Sequence, residues 1–317
     1  MFTNRFAHLG VVLQALLVTF LWSTSFVLIK MGLKDIPALT FAGLRYSLAF
    51  LCLLPLALRP GRLRSWGSLS GRGWARLIVL GLLFYAVTQG AAFLGLAYLP
   101  AVTVSLLLNF TTIVVALLGI FLLAEQPTVL QWSGVFVNIL GIVIYFYPVV
   151  PPPGQVVGLI VMAVGVFANA GSSILGRQVN RDGNVPPLVV TIVSMGVGAV
   201  VLLVAGMLTQ GLPRLSPIHW AVIGWLAVVN TAFAFTLWNH TLRTLSAIES
   251  SIINNTMLIQ IAVLAWLFLG EQITWQEGIG MALAGLGALI VQLRPDKPGH
   301  SKTCRAWQSG KEFIEPT

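Results

Sequence analysis

LPAVTVSLLLNFTTIVVALLGIFLLAEQPTVLQWSGVFVNILGIVIY, residues 99–145, is written again in altered letters as LSAIESSIINNTMLIQIAVLAWLFLGEQITWQEGIGMALAGLGALIV, residues 245–291. The pairs Glu125-Gln126 and Glu271-Gln272 set the offset at 146 (271 − 125). At that offset Leu99, Ala101, Ser105, Asn109, Ile113, Ala116, Leu118, Leu123, Thr128, Gly134, Gly141 and Ile144 each meet their own residue type. Each copy reads as a long apolar run, a short turn opening on Glu-Gln, a helix start, and a second apolar run with glycines seven apart. A chain that repeats so long a unit is two halves of one design.

Outward from the repeat the composition agrees. Of the 317 residues 57% are hydrophobic and only 9% charged, with a mean hydropathy of +0.91. That leaves too little polar surface to coat a water-soluble globule, so the chain belongs in a bilayer. A spanning helix needs roughly 20 mostly apolar residues. Such runs recur at 9–29, 38–58, 77–97, 101–123, 129–147, 156–175, 187–208, 219–239, 247–269 and 275–293, split by clusters of Pro, Gly, Arg and Asn. Strand-type alternation is absent, which argues against a membrane barrel. The fold class is therefore all-α integral membrane: ten transmembrane helices as two inverted five-helix repeats around a central cavity.

Net charge is +9, but the basic residues sit between apolar runs and make no aromatic-interleaved stripe, so no nucleic-acid partner is expected. With the amino terminus in the cytoplasm, the inner side collects 14 Lys and Arg (Arg5; Arg59, Arg62, Arg64, Arg72 and Arg76; Arg177 and Arg181; Arg243; the tail). The outer side keeps Lys30, Lys34 and Arg214, and Arg45 lies within a span. This asymmetry puts both termini in the cytoplasm, in the plasma (inner) membrane. An odd number of spans per half turns the second half over. The halves divide as 1–150 and 151–294, at Pro148, Pro151, Pro152 and Pro153; the polar segment 295–317 reads as a disordered cytoplasmic tail. Cys52 and Cys304 are too separated to suggest a disulfide framework, and the first apolar run is too long for a signal-peptide core.

At Leu21-Trp22-Ser23-Thr24-Ser25-Phe26-Val27-Leu28-Ile29-Lys30 the chain resembles the first helix of the drug/metabolite transporter superfamily, EamA-type branch. Leu44-Arg45-Tyr46 in the second span and both Glu-turn repeats extend the resemblance over residues 9–293. It implies a secondary transporter with a central cavity between its halves.

Polar residues within the spans are the candidate site. Trp22 and Ser25, Tyr85 and Gln89, and Ser105 and Asn109 each share a helix face; in the second half Asn169 and Ser172, Ser251 and Asn255, and Trp238 repeat the theme. Ser and Asn at both 105/109 and 251/255 are two-fold related, where a midplane site between repeats would lie. Arg45 lies roughly 10 Å below the outer surface at 1.5 Å per residue. A charge there needs a cavity or a partner: Asp35, Glu271 and Glu277 are on its side, and a substrate or gating role is the alternative. Lys30 ends its helix where a long side chain can snorkel.

The paired turns have a local explanation. Thr128 with Gln131 and Thr274 with Glu277 are capping-box patterns, and Glu125 and Glu271 sit just before, favoured by the dipole of the helix that follows. Gly134, Gly141, Gly280 and Gly287 follow no strand and are close-packing surfaces, not a phosphate cradle.

The spans contain no paired carboxylates, no Ser with a His base and no metal-spaced His and Glu, so neither an enzyme nor a cofactor or metal is expected. A channel would need a charged ring or carbonyl filter. The expectation is alternating access moving small metabolites, chiefly export of amino acids or related zwitterions, with the bilayer and a small-molecule substrate as partners and a monomer as a plausible unit. Drugs or other organic solutes, and a non-transporting structural membrane protein, are the alternatives.

Overall fold

A computed structural model describes residues 2–57, 70–123, 128–148, 152–181, 186–242, 244–245 and 247–292. Every regular element among them is helical, as a bilayer requires of a chain that must satisfy its own backbone. The helices are α1 (Phe2–Gly32), α2 (Ala38–Ala57), α3 (Gly71–Tyr98), α4a (Ala101–Asn109), α4b (Thr111–Leu123), α5 (Val129–Phe146), α6 (Pro153–Arg181), α7 (Pro187–Thr209), α8 (217–241), α9 (Ala247–Leu269) and α10 (Trp275–Gln292). Nine of the described segments are long and apolar enough to cross a membrane, against ten expected. The one left out is α10, whose first turn carries Gln276 and Glu277.

Three boundaries and one span interior differ from expectation; the first is α1, which begins at Phe2, seven residues early. α3 starts at Gly71, because Ser70 caps it by accepting from the Gly73 amide at 3.2 Å. α6 runs on to Arg181. The fourth span is broken at Phe110, whose amide is shared between the carbonyls of Leu106 (3.3 Å) and Leu107 (3.1 Å).

Helix neighbours exchange between halves. α1 lies against α9 and α8, as α6 lies against α4 and α3; α2 packs on α7, and α5 on α10. In the α5–α10 pair the exchange reaches single residues. A Cβ on Gly141 would lie 2.6 Å from the Gly280 carbonyl oxygen, and one on Gly280 would lie 2.7 Å from that of Gly141. Gly134 and Gly287 do the same to one another at 2.9 and 2.6 Å. Only glycine permits such backbone contact. Between them Asn138 Nδ2 donates to the Ala284 carbonyl at 2.6 Å, a pair also 146 residues apart.

Contacts between helix ends sort into two layers. At one end Asp35 meets His219 at 3.3 Å, the Leu39 amide donates to Gln210, and Gln276 donates to the Ile144 carbonyl at 2.8 Å. At the other, His8 meets Glu249 at 2.9 Å and Gln131 donates to the Val291 carbonyl at 3.2 Å.

Candidate functional site

Two helices that are apolar almost throughout widen locally into π-turns, Gly81–Gln89 in α3 and Val228–Phe233 in α8. Each widened stretch holds a threonine whose hydroxyl donates five residues back: Thr88 to the Leu83 carbonyl and Thr231 to that of Leu226, both at 2.8 Å. The side chain thus takes a carbonyl that the wider turn leaves differently placed. The offset of the repeat puts Tyr85 and Thr231 at equivalent positions (231 − 85 = 146).

Around these turns a connected set of polar and aromatic side chains assembles. Arg45 of α2, only 5% exposed, donates from Nε to Thr231 Oγ1 at 3.1 Å. Its guanidinium lies 5.3 Å from the Tyr46 ring centroid, and Tyr46 meets Tyr85 edge-on at 5.4 Å. Asn230, beside Thr231, has Nδ2 within 2.8 Å of Ser25 Oγ and 3.1 Å of Thr24 Oγ1. One turn before Ser25, Trp22 packs on Phe235 and Trp238, with ring centroids 5.3 Å apart in each case. Arg45, Asn230 and Trp22 therefore belong to one layer where α1 and α2 of the first half meet α8 of the second.

The second cluster is a single pair. Asn109 Nδ2 donates to Asn255 Oδ1 at 3.1 Å, joining the two members of the repeat that the offset equates. Across both clusters Trp22 Nε1, Asn109 Oδ1, Asn230 Oδ1 and Asn255 Nδ2 are buried without a protein partner. Unmet polar atoms in an apolar interior are costly; Gln14 Oε1 and Asn138 Oδ1 are the others among the described residues.

The scaffold agrees with what is known of other chains. Residues 9–147 and 156–293 each match the EamA-like transporter family. The chain belongs to that family. Within the drug/metabolite transporter superfamily it is similar to the uncharacterized transporter YyaM of Bacillus subtilis, 27% identical over 67% of this chain and 71% of that one. It is also similar to an uncharacterized transporter of Archaeoglobus fulgidus, 25% identical over 89% and 96% of the respective chains. A crystal structure superposes with a TM-score of 0.63 over 89% of this chain and 97% of its own, at 18% identity, a likeness of fold alone.

In this EamA-like transporter several expected residues take other roles. Arg45 has no carboxylate partner among the described residues: Asp35 is held by His219, Glu271 by backbone amides and Glu277 by Thr274. Glu271 does not serve the helix it precedes. Its carboxylate accepts from the amides of Ala101 (2.7 Å) and Val102 (3.2 Å), the start of α4a, where the N-cap is Pro100 and offers no side-chain oxygen. Lys30 does not reach for the surface; Nζ donates to the carbonyls of Leu96 (2.7 Å) and Leu99 (2.6 Å), the end of α3. One junction, Leu99-Pro100, is thus gripped by a cation on one side and an anion on the other.

The capping boxes close as the pattern requires, at Thr128 with Gln131 and at Thr274 with Glu277. Ser105 and Ser172 donate to carbonyls of their own helices, those of Val102 and Asn169, which leaves their oxygens as acceptors only. Asn169 joins helices, Nδ2 donating to Thr111 Oγ1 at 3.2 Å. Gln89 is partly exposed in the same π-turn as Tyr85. Glu125 and the side chain of Ser251 lie outside the described residues, as does the 295–317 segment.

Open volume is found on the flanks. One groove of about 650 Å³ lies between α9 and α10, with Asn255, Trp266 and Met281 on its walls. A second of about 840 Å³ is bounded by α4, α5 and α6, with Thr103, Tyr145 and Phe167. Neither is lined by Trp22, Arg45 or Tyr85, so the expected central cavity is not one of these grooves. The aromatic rings of Trp22, Tyr46, Tyr85, Phe235 and Trp238 line that layer.

Sequence reasoning passed over Tyr46, Asn230, Thr231 and the Thr19–Ser23–Gln260 network, in which Ser23 donates to Gln260 Oε1 at 2.9 Å. Two signals were available. Asn230 is a lone amide inside an apolar span, and Thr231 is the repeat equivalent of Tyr85.

Proposed function

We propose that this multi-pass membrane transporter exports amino acids or related zwitterionic metabolites across the plasma (inner) membrane by alternating access, both termini lying in the cytoplasm. Residues 1–150 and 151–294 act as two inverted five-helix repeats, ten spans in all, that rock against each other about the α5–α10 seam. The exchange of helix neighbours and of the glycine contacts under one offset supports that arrangement. So does the sorting of end contacts into two layers. The observation that carries the transport reading is that two polar clusters, the Arg45–Trp22–Asn230 layer and the Asn109–Asn255 pair, both lie where the halves meet and leave polar atoms unmet. Four of those unmet atoms lie in these two clusters, where a polar solute could supply their partners.

The described spans hold no buried carboxylate, so transport runs without a carboxylate proton relay within them. The test is flux of labelled amino acids from proteoliposomes. The wild-type chain gives saturable flux, and Asn109→Ala with Asn255→Ala abolishes it while the protein still purifies as a folded species. Unchanged flux in the double variant would remove the pair from the path.

A further inference from the structure

Arg45 carries a charge that the transport reading does not use. It is a cation in the middle of the second span, 5% exposed, with a single hydrogen bond from Nε to Thr231. A guanidinium carries five N–H donors, so four have no protein partner among the described residues. No carboxylate among those residues neutralises it. An unpaired charge at that depth is among the most expensive groups a membrane protein can keep. Tyr46, whose ring centroid lies 5.3 Å from the guanidinium, and Tyr85, packed edge-on against Tyr46, are 3% and 4% exposed, and neither phenol has a hydrogen-bond partner among the described residues.

We infer that Arg45 is the anchor for a monocarboxylate, and that the carboxylate is the obligatory group of the substrate while its amine is dispensable. This rests on the transport reading and narrows it. The planar fork of the guanidinium matches two carboxylate oxygens side by side, and the phenols can donate to the same oxygens. One cation balances one negative charge; a phosphate dianion would bury a net charge of its own. An ammonium group, in contrast, finds no anion in this layer among the described residues. It meets only the free Oδ1 of Asn230 and the ring faces of Trp22, Phe235 and Trp238. Ring faces attract a cation but also pack a hydrocarbon, so nothing in them makes the amine obligatory. Amino acids therefore enter as one kind of carboxylate with an apolar tail, not by virtue of being zwitterions.

Three solutes of one shape separate the groups: phenylalanine, 3-phenylpropionate, which lacks the amine, and phenylalaninamide, which lacks the carboxylate. Saturable flux in proteoliposomes is expected for the first two at rates within about threefold, and about tenfold or more slower for the amide, the cost of leaving a charge-assisted hydrogen bond unmade. Arg45→Gln equalises acid and amide, and Arg45→Lys keeps part of the preference. Because the acid-to-amide ratio is measured on the wild-type chain, the result does not depend on a variant folding. Flux of the amide equal to that of the acids overturns the inference and leaves the transport reading standing. No saturable flux for these or any amino acid removes both.

Discussion

The α5–α10 seam and the Arg45 layer are built from the same repeat and have diverged in opposite directions. At the seam the two-fold relation holds residue for residue: glycine faces glycine, and the contact of Gly134 with Gly287 is the contact of Gly280 with Gly141 with the halves exchanged. In the Arg45 layer only the π-turns keep their equivalent places. The first half supplies Arg45, Tyr46 and Tyr85, and the second supplies Asn230, Thr231, Phe235 and Trp238. Close packing of backbones has no direction and profits from symmetry. A small solute has two different ends, and a site that must tell them apart abandons symmetry.

That contrast predicts a ranking of damage. The largest effect falls at the seam, where Gly141→Leu puts a side chain into the Gly280 and Ala284 backbone; stability should drop by about 3 kcal/mol, read as the unfolding midpoint in detergent. A variant as stable as the parent would show that the halves do not meet there. Next is Thr231→Val, which keeps the side-chain shape but strips Arg45 of its hydrogen bond, at about 2 kcal/mol. Here substrate affinity should change along with stability, whereas at the seam stability moves first. Smaller again is Glu271→Gln, which weakens the cap on α4a by about 1 kcal/mol; an effect confined to α10 would instead mean that Glu271 serves its own helix. The least is Asn138→Ala, worth about 0.6 kcal/mol for one interhelical amide in lipid, and checked by the same unfolding assay.

Much of the scaffold was legible in the letters. The repeat offset, the run lengths and the glycine spacing led to helices within a few residues of those observed, because a bilayer leaves the backbone few alternatives. That Asn109 and Asn255 are two-fold equivalents was equally readable, but their direct contact was not, because equivalence under the offset does not by itself bring residues together. What stayed hidden needed the third dimension. Nothing around Glu271 shows that its acceptor oxygens belong to α4a, which starts 170 residues away. The π-turns were invisible too, because a threonine that reaches five residues back looks like any other threonine in an apolar span. Arg45 was legible as a misplaced charge but not as an unpaired one. That took the positions of every carboxylate described near it.

The grip on the Leu99-Pro100 junction has a consequence for how the protein is made. Lys30 is synthesised before the carbonyls it binds, but the amides at the start of α4a wait for Glu271, which leaves the ribosome 170 residues later. During that interval the amino-terminal half sits in the bilayer with an unfinished helix end. Completion of that helix start therefore follows translation of the second half, and a chain truncated before residue 271 should insert its own helices yet leave the start of α4a without its carboxylate, read as faster amide exchange at Ala101 and Val102.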